Sequence, residues 1–299
     1  MGAVDVSAIK QTPDVMLREA ASLLYLLGGI GSKHLTVVGG LVPPLLVPAA
    51  ASSHIGSADI DLCLSVAITR GDTQEYYKSI QKLIEPYFEE VPSSSFRWRK
   101  KDGAPGLPLI VDFLGPESDS DTTTVDGTRL LEDEVAAENA GSDLRPFALR
   151  AGVVIDLDAE TTTLDGVELL YHEVTRADVD VRHSGPVGFL AAKAFAFAGR
   201  SDTKDGYDVS WWCLNAAATP DEVAELVIAR PAYKHDDFQE AVYLLKRTYK
   251  APDYPGPMGY AAELFPELAS GDDDFDQAAN AAFAATSHVI ELLHESLFK

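Results

Sequence analysis

The sequence feature that most constrains the fold is the run Asp59-Ile60-Asp61-Leu62, which opens an alternating stretch that continues to Ile68. Alternation of this kind is typical of a β-strand, in which successive side chains point to opposite faces. Asp59 and Asp61 therefore project from one face, while Ile60 and Leu62 pack on the other. Two carboxylates held side by side repel each other unless a cation joins them. The strand thus predicts a site for a hard divalent cation such as Mg²⁺, which prefers oxygen ligands.

Two further segments extend this pattern. Residues 34–38 are rich in β-forming side chains and end at Gly39-Gly40, which predicts a short strand followed by a tight turn. Residues 107–113 form another apolar segment, and an unpaired carboxylate buried within it would be costly. Asp112 in this segment is therefore the third candidate metal ligand. The alternative is that Asp112 ends the strand and begins the following turn.

The remaining sequence divides into a part with strands and a part with helices. Up to residue 114 the predicted order of elements is α-β-α-β-α-β-β, and short β-type runs return at 153–157 and 166–170. The sequence that follows contains capped helix starts, such as Thr219-Pro220-Asp221-Glu222, and long apolar stretches with helical spacing. We predict an α+β fold, with a mixed sheet flanked by helices in residues 1–185 and a helical domain in residues 186–299.

Charge and cysteine content limit the functions that this chain can have. It has 47 acidic and 24 basic residues, and the net charge of −23 repels nucleic acid and anionic membranes at long range. Two cysteines, Cys63 and Cys213, are too few for a disulfide framework or a thiolate metal site. The uncharged stretch 35–53 contains three prolines, which would break a membrane-spanning helix. We expect a cytoplasmic protein without a secretory signal and without membrane contact.

A second motif lies further along the chain, where Lys193 and the pair Gly199-Arg200 precede the run Lys204-Asp205-Gly206-Tyr207-Asp208. The glycine turn, the Asp-x-Asp strand and the later strand aspartate resemble the polymerase-β-type nucleotidyltransferases. The second motif resembles the AbiEii/MenT-like nucleotidyltransferases, the toxin halves of toxin–antitoxin pairs. The resemblance implies a minimal nucleotidyltransferase fold and the transfer of a nucleotide from NTP to an acceptor hydroxyl, with release of pyrophosphate.

The resemblance also implies roles for individual residues. Mg²⁺ or Mn²⁺ would be the cofactor, with Asp59, Asp61 and Asp112 as metal ligands and catalytic residues. Lys193 and Asp208 would complete the catalytic set. The residues implied in nucleotide binding are Gly39, Gly40, Ser57, Lys193, Arg200 and Lys204.

Several readings of these residues stay open. Lys193 could instead snorkel to water from an apolar helix, and Arg200 and Asp208 could form a plain ion pair. The sequence departs from the resembled pattern at Leu41, where a hydroxyl residue is usual, and at His54, where related sequences often carry arginine.

The resemblance implies tRNA as the acceptor and a cognate antitoxin protein as a partner. A basic run would place Arg97, Arg99 and Lys101 on one face of a strand, where they could grip an RNA backbone. The alternative is a charged edge strand that resists aggregation. Two other functions stay open, namely a small-molecule nucleotidyltransferase of the antibiotic-modifying kind and a non-catalytic nucleotide-binding module.

Overall fold

The computed structural model describes residues 12–65, 73–92, 94–117, 122–125, 128–131, 142–200 and 202–298. Its contacts divide the chain into two compact units. Unit 1 consists of the residues up to Leu41 together with Gly56–Ser184, and unit 2 consists of Val42–Ile55 together with Gly185–Lys299. Unit 2 is thus discontinuous in sequence, because it includes the segment 42–55 as well as the residues from Gly185 onward.

The elements of the N-terminal part alternate between helices and short strands. In chain order they are α1 (Pro13–Leu26), α2 (Gly28–His34), β1 (Leu35–Val38), a 3₁₀ turn (Gly39–Leu41), α3 (Val42–Leu46, in unit 2), β2 (Asp59–Leu64), α4 (Thr73–Ile84), β3 (Phe88–Val91), β4 (Ser94–Lys100), β5 (Ile110–Pro116), β6 (Thr122–Val125), β7 (Thr128–Leu131), β8 (Phe147–Leu149), α5 (Gly152–Leu157), β9 (Glu160–Glu168) and β10 (Arg176–His183).

The strands of unit 1 form one mixed sheet. Its main order is β6-β7-β8-β5-β2-β1-β10-β9, and the β3–β4 hairpin joins through the pairing of β4 with β5. The β2 strand lies parallel to β5 and antiparallel to β1, while β1 lies parallel to β10. Helix α1 packs against β9 and β10. The predicted mixed sheet flanked by helices is confirmed.

The buried face of the sheet follows the alternation seen in the sequence. Ile60 and Leu62 of β2 are fully buried, and Val111 and Phe113 of β5 are at most 1% exposed. All four residues of β1 are buried, which suits a short strand near the middle of a sheet. The apolar residues of these strands form a core, and their polar neighbours in sequence project from the opposite face.

After Ser184 the chain is helical, as predicted. The elements are α6 (Pro186–Arg200), α7 (Thr203–Asn215), α8 (Pro220–Ile228), a 3₁₀ turn (Pro231–Lys234), α9 (Asp236–Thr248), α10 (Pro255–Leu264) and α11 (Asp273–Phe298). The predicted start of α8 is confirmed, because Thr219 and Glu222 form a reciprocal capping box. In the described part of the chain, no helix combines the length and the apolar character that crossing a bilayer requires.

Two sequence predictions in this part of the chain are wrong: the predicted order of elements up to residue 114 lacks α2 and β3, and the prediction for residues 153–157 names the wrong element. Residues 153–157 were predicted as a β-type run, but Gly152–Leu157 is helix α5. Val154 and Ile155 are fully buried, and a Cβ on Gly152 would clash with the backbone of Pro116 at the end of β5. Close packing of this short helix onto the sheet therefore overrides the β propensity of its branched side chains.

A buried carboxylate ties α1 to the rest of unit 1. Glu19 is fully buried and accepts hydrogen bonds from Lys100 Nζ at 2.7 Å, Tyr171 OH at 2.5 Å and the backbone N–H of Leu107 at 2.9 Å. Burial lowers the pKa of Lys100, and Glu19 opposes that change. Two of the donors lie at the connection between β4 and β5 and the third, Tyr171, follows β9, so Glu19 joins α1 to both of these segments.

We predict that Glu19→Ala lowers the free energy of unfolding by about 3–5 kcal/mol, because it leaves Lys100 as a buried, unpaired cation. Urea unfolding followed by circular dichroism measures the change. The matched control is Arg18→Ala in the same helix, whose ion pair with Glu168 is exposed. This control should lower the free energy of unfolding by at most about 1 kcal/mol. Equal losses in the two variants would contradict the prediction.

Candidate functional site

The register of three neighbouring strands brings the predicted aspartates together. Asp61 of β2 lies opposite Asp112 of β5, and Asp112 lies opposite Arg97 of β4. Residues opposite each other in a sheet share a face, and Asp59 shares it because it precedes Asp61 by two positions. Asp59, Asp61 and Asp112 each offer a carboxylate oxygen, and these oxygens lie within 4.8 Å of one another. We call these three residues the acidic triad.

The acidic triad could hold a divalent cation. Its donor set consists of carboxylate oxygens alone, which is the set that hard cations such as Mg²⁺ prefer. Asp112 is buried, while Asp59 and Asp61 are half-buried, so the ligand atoms lie at the edge of the protein surface. Within the described ranges, no second cluster of this kind is formed. The donor chemistry of the triad thus fits the predicted metal.

Arg97 lies beside the triad and contacts it directly. Its Nε donates to Asp112 Oδ1 at 2.8 Å and its Nη2 donates to Asp112 Oδ2 at 2.6 Å. The hydrogen bonds with Asp112 raise the pKa of Arg97, burial opposes this, and the charges of Asp112, Asp59 and Asp61 add to the rise. The sequence places Arg97 on the basic face of a strand and gives no sign that it lies beside the triad. Its position next to the triad depends on strand register, which the sequence does not reveal.

The other two residues of that basic run also have partners in the protein. Arg99 pairs with the carboxylate of Glu89, and Lys101 donates to the backbone carbonyl of Glu85. Arg97 and Arg99 therefore both engage carboxylates of unit 1.

The predicted glycine turn lies against the triad. Gly39 has φ +70°, a conformation that favours glycine, and a Cβ placed there would clash with the carboxylate of Asp61. Gly40 follows it and is buried within the 3₁₀ turn. Ser57 is also buried, and its Oγ donates to Asp59 Oδ1 at 3.0 Å. Gly39 and Ser57 thus fix the positions of two triad carboxylates, and the implied contacts of Gly39, Gly40 and Ser57 with nucleotide stay predictions.

Unit 2 holds a separate ionic cluster built on α6 and α7. Lys193 Nζ lies 2.9 Å from Asp205 Oδ1 and 2.6 Å from Asp208 Oδ2. Lys204 Nζ lies 3.3 Å from Asp208 Oδ2. Arg200 forms two hydrogen bonds with Asp205, through Nε at 3.0 Å and Nη2 at 2.9 Å. We call these five side chains the α6–α7 ionic cluster.

The cluster corrects two of the alternatives considered from sequence. Lys193 is only 5% exposed, so it does not snorkel to water. Arg200 pairs with Asp205, whereas the sequence alternative paired it with Asp208. The implied roles of Lys193, Arg200, Lys204 and Asp208 in catalysis and nucleotide binding stay predictions.

Mutual charge compensation keeps the cluster ionised. Burial alone would raise the pKa of Asp208, but Lys193, Lys204 and a hydrogen bond from His54 hold it well below its usual range. Burial likewise opposes the charged form of Lys193, yet Asp208 and Asp205 raise its pKa above the ordinary value. Each buried charge therefore has a partner, without which its burial would be strongly unfavourable.

His54 is a member of this environment that sequence reasoning missed. Its Nε2 lies 2.9 Å from Asp208 Oδ1, and its ring packs against the rings of Tyr207 and Trp211. Burial lowers the pKa of His54, and Asp208 opposes that change. Because an ionised carboxylate only accepts hydrogen bonds, Nε2 is the donor to Asp208. From sequence, His54 was only a departure from arginine, since its partner lies 154 residues away.

Comparison with known proteins adds little to this geometry. No protein-family model matches the sequence. No curated protein matches it either. Among solved structures, a nucleotidyltransferase-like antigenic protein from Paracoccidioides brasiliensis is similar at 16% identity and TM-score 0.40, over 82% of this chain and 92% of that chain. A nucleotidyltransferase candidate from H. pylori is similar at 11% identity and TM-score 0.43, over 96% of this chain and 97% of that chain. Scores of this size assign no function.

We predict that Gly39→Ala lowers the free energy of unfolding by about 1–3 kcal/mol, because alanine disfavours a positive φ and its Cβ displaces the Asp61 carboxylate. Chemical unfolding measures this change. Gly29→Ala is the control, since a Cβ at Gly29 meets no atom within 4 Å. The prediction fails if the two variants are equally stable.

We also predict that His54→Gln makes stability less dependent on pH. A histidine whose pKa is lower in the folded state stabilises the fold fully above its unfolded pKa of 6.5 and loses that contribution as pH falls below it. The wild type should therefore lose more stability than the variant between about pH 7.5 and about pH 5.5. Urea midpoints at both pH values measure the difference, and the same substitution at the exposed His172 controls for loss of a histidine. Parallel pH profiles of wild type and His54→Gln would contradict the prediction.

Proposed function

We propose that this protein is a nucleotidyltransferase that moves a nucleotide from NTP to an acceptor hydroxyl and releases pyrophosphate. The observation that carries the proposal is the convergence of three strand carboxylates next to a glycine turn. A glycine turn leaves its backbone open to close approach by phosphate oxygens. Carboxylate oxygens at such a place suit a cation that binds those phosphates.

The triad residues have distinct duties in this reaction. Asp59 and Asp61 would hold Mg²⁺, or Mn²⁺, together with Asp112. When bound, such an ion stabilises negative charge on the phosphates and on the leaving group. Ser57 orients Asp59 through its hydrogen bond. Asp112 orients the acceptor or takes the proton of its hydroxyl, as that oxygen forms a bond to the α-phosphorus and the bond to pyrophosphate breaks.

We propose tRNA as the acceptor, which would make the protein a toxin controlled by a cognate antitoxin. The support for this acceptor is the resemblance of the second motif to the AbiEii/MenT-like proteins. A second candidate is a small cationic acceptor such as an aminoglycoside. The observations that support this second candidate are the net charge of −23 and the engagement of Arg97 and Arg99 by carboxylates.

We predict that the wild type, given Mg²⁺ and each labelled NTP in turn, labels RNA in total tRNA. Asp59→Asn and Asp61→Asn should each lower the rate at least about 100-fold, because each removes a carboxylate that stabilises transferring charge. Gel analysis of the labelled RNA measures the rate. Asp165→Asn is the matched control, since it makes the same charge change at an exposed position of β9.

The same assay with an aminoglycoside as the acceptor, together with thermal melting and a growth test, separates the rival functions. Label on an aminoglycoside and none on RNA would select the small-molecule enzyme. Thermal stabilisation by Mg·NTP without transfer to either acceptor would indicate a non-catalytic binding module and contradict the proposed reaction. Growth arrest on induced expression that is relieved by Asp59→Asn would support the toxin.

A further inference from the structure

Arg97 occupies a position in the sheet that joins it to the whole triad. Strand β5 lies between β4 and β2, so that Arg97, Asp112 and Asp61 form one row across three neighbouring strands. Adjacent strands lie about 4.8 Å apart, which places a fixed positive charge beside the carboxylates. The pKa of Arg97 responds to Asp112 first and also to Asp59 and Asp61.

The contact between Arg97 and Asp112 is of the strongest kind that a carboxylate forms within a protein. Two parallel hydrogen bonds, of 2.8 and 2.6 Å, join the guanidinium to both oxygens. The side chain of Asp112 is only 7% exposed, whereas that of Arg97 is 36% exposed. A nearly buried carboxylate requires a partner, and the more exposed guanidinium has room to move away from it.

A divalent cation at the triad would meet this guanidinium as a charge of the same sign. A carboxylate has about four lone-pair positions, so Asp112 can accept from Arg97 and still present an oxygen to an ion. Sharing of this kind does not remove the repulsion between the two cations, which lie close together in a partly buried site of low effective dielectric constant. Arg97 and the ion therefore compete for the negative charge of the same residues.

We propose that Arg97 is an internal cation that competes with the divalent ion for Asp112, and that it sets the metal affinity of the triad. Without metal it holds the Asp112 carboxylate in place, and with metal it weakens binding. The proposal rests on the metal site of the proposed nucleotidyltransferase and adds a positioning residue to it. Arg97 acts through Asp112 and is not itself a catalytic residue.

The test is direct measurement of Mn²⁺ binding to the full chain without nucleotide. Isothermal titration calorimetry gives the affinity, and the electron paramagnetic resonance signal of free Mn²⁺ gives an independent value. We expect Arg97→Gln to bind Mn²⁺ about tenfold more tightly than the wild type, because the ion no longer competes with the guanidinium for Asp112; a tenfold change corresponds to about 1.4 kcal/mol. Mn²⁺ should also raise the melting temperature of Arg97→Gln more than that of the wild type.

Arg99→Gln is the matched control. It removes the same charge two positions along β4, but its carboxylate partner, Glu89, is outside the triad. We expect its Mn²⁺ affinity to change less than that of Arg97→Gln. The double variant Arg97→Gln/Asp112→Asn should not show the higher Mn²⁺ affinity of Arg97→Gln, because it lacks the carboxylate for which Arg97 and the ion compete. If Arg97→Gln folds poorly, Arg97→Lys keeps a charge but loses the planar fork, and a smaller gain in Mn²⁺ affinity is then expected.

The outcomes distinguish this inference from the proposed function. Unchanged or weaker Mn²⁺ binding by folded Arg97→Gln overturns the inference, as does an equal gain in Arg99→Gln. If the Arg97 variants gain affinity but the wild type transfers no nucleotide, the inference stands and the proposed reaction fails. If nucleotide is transferred but the Arg97 variants gain nothing, the reaction stands and the inference fails.

Discussion

Repulsion among three carboxylates is the constraint around which unit 1 is organised. The hydrogen bonds between β2 and β5 hold Asp61 opposite Asp112, and the polar groups on that face have no freedom to separate. On the other face, Ile60 and Phe113 are fully buried. Burial of each such side chain contributes about 1.5–3 kcal/mol, which offsets the electrostatic cost. Burial of the apolar face thereby stabilises the sheet despite the repulsion on its acidic face. A cation bound at the proposed site would reduce that repulsion.

The acidic triad and the α6–α7 ionic cluster differ in the cations that contact their carboxylates. In unit 2, Lys193, Lys204 and Arg200 contact two carboxylates, those of Asp205 and Asp208, so the cluster has its own cations. In unit 1 the acidic triad brings three carboxylates together, and Arg97 pairs with one of them, Asp112. A cluster balanced by the protein maintains structure, whereas one left with excess negative charge attracts an ion from solution. This difference supports the metal site that we propose at the triad.

Local patterns in the sequence predict the local parts of this structure. Alternation identified β2 and its two outward carboxylates, and capping residues identified the start of α8, because both signals lie within a few positions. The pairing of Arg97 with Asp112 could not be predicted, since it depends on the register of β4 against β5. The helix at 152–157 was missed because its packing against the sheet outweighs its β-type composition. Long-range contacts, such as that of His54, have no local signal at all.

The segment Val42–Ile55 leaves unit 1 after the glycine turn and returns at Gly56, just before the Asp-x-Asp strand. As the chain is synthesised, this segment emerges early, but His54 must await a partner made 154 residues later. Strand β1 likewise awaits β10. Neither unit can therefore be completed on the ribosome before most of the chain exists, which makes folding depend on late closure of long loops. Until those partners are made, the apolar segments that they cover stay exposed on the nascent chain.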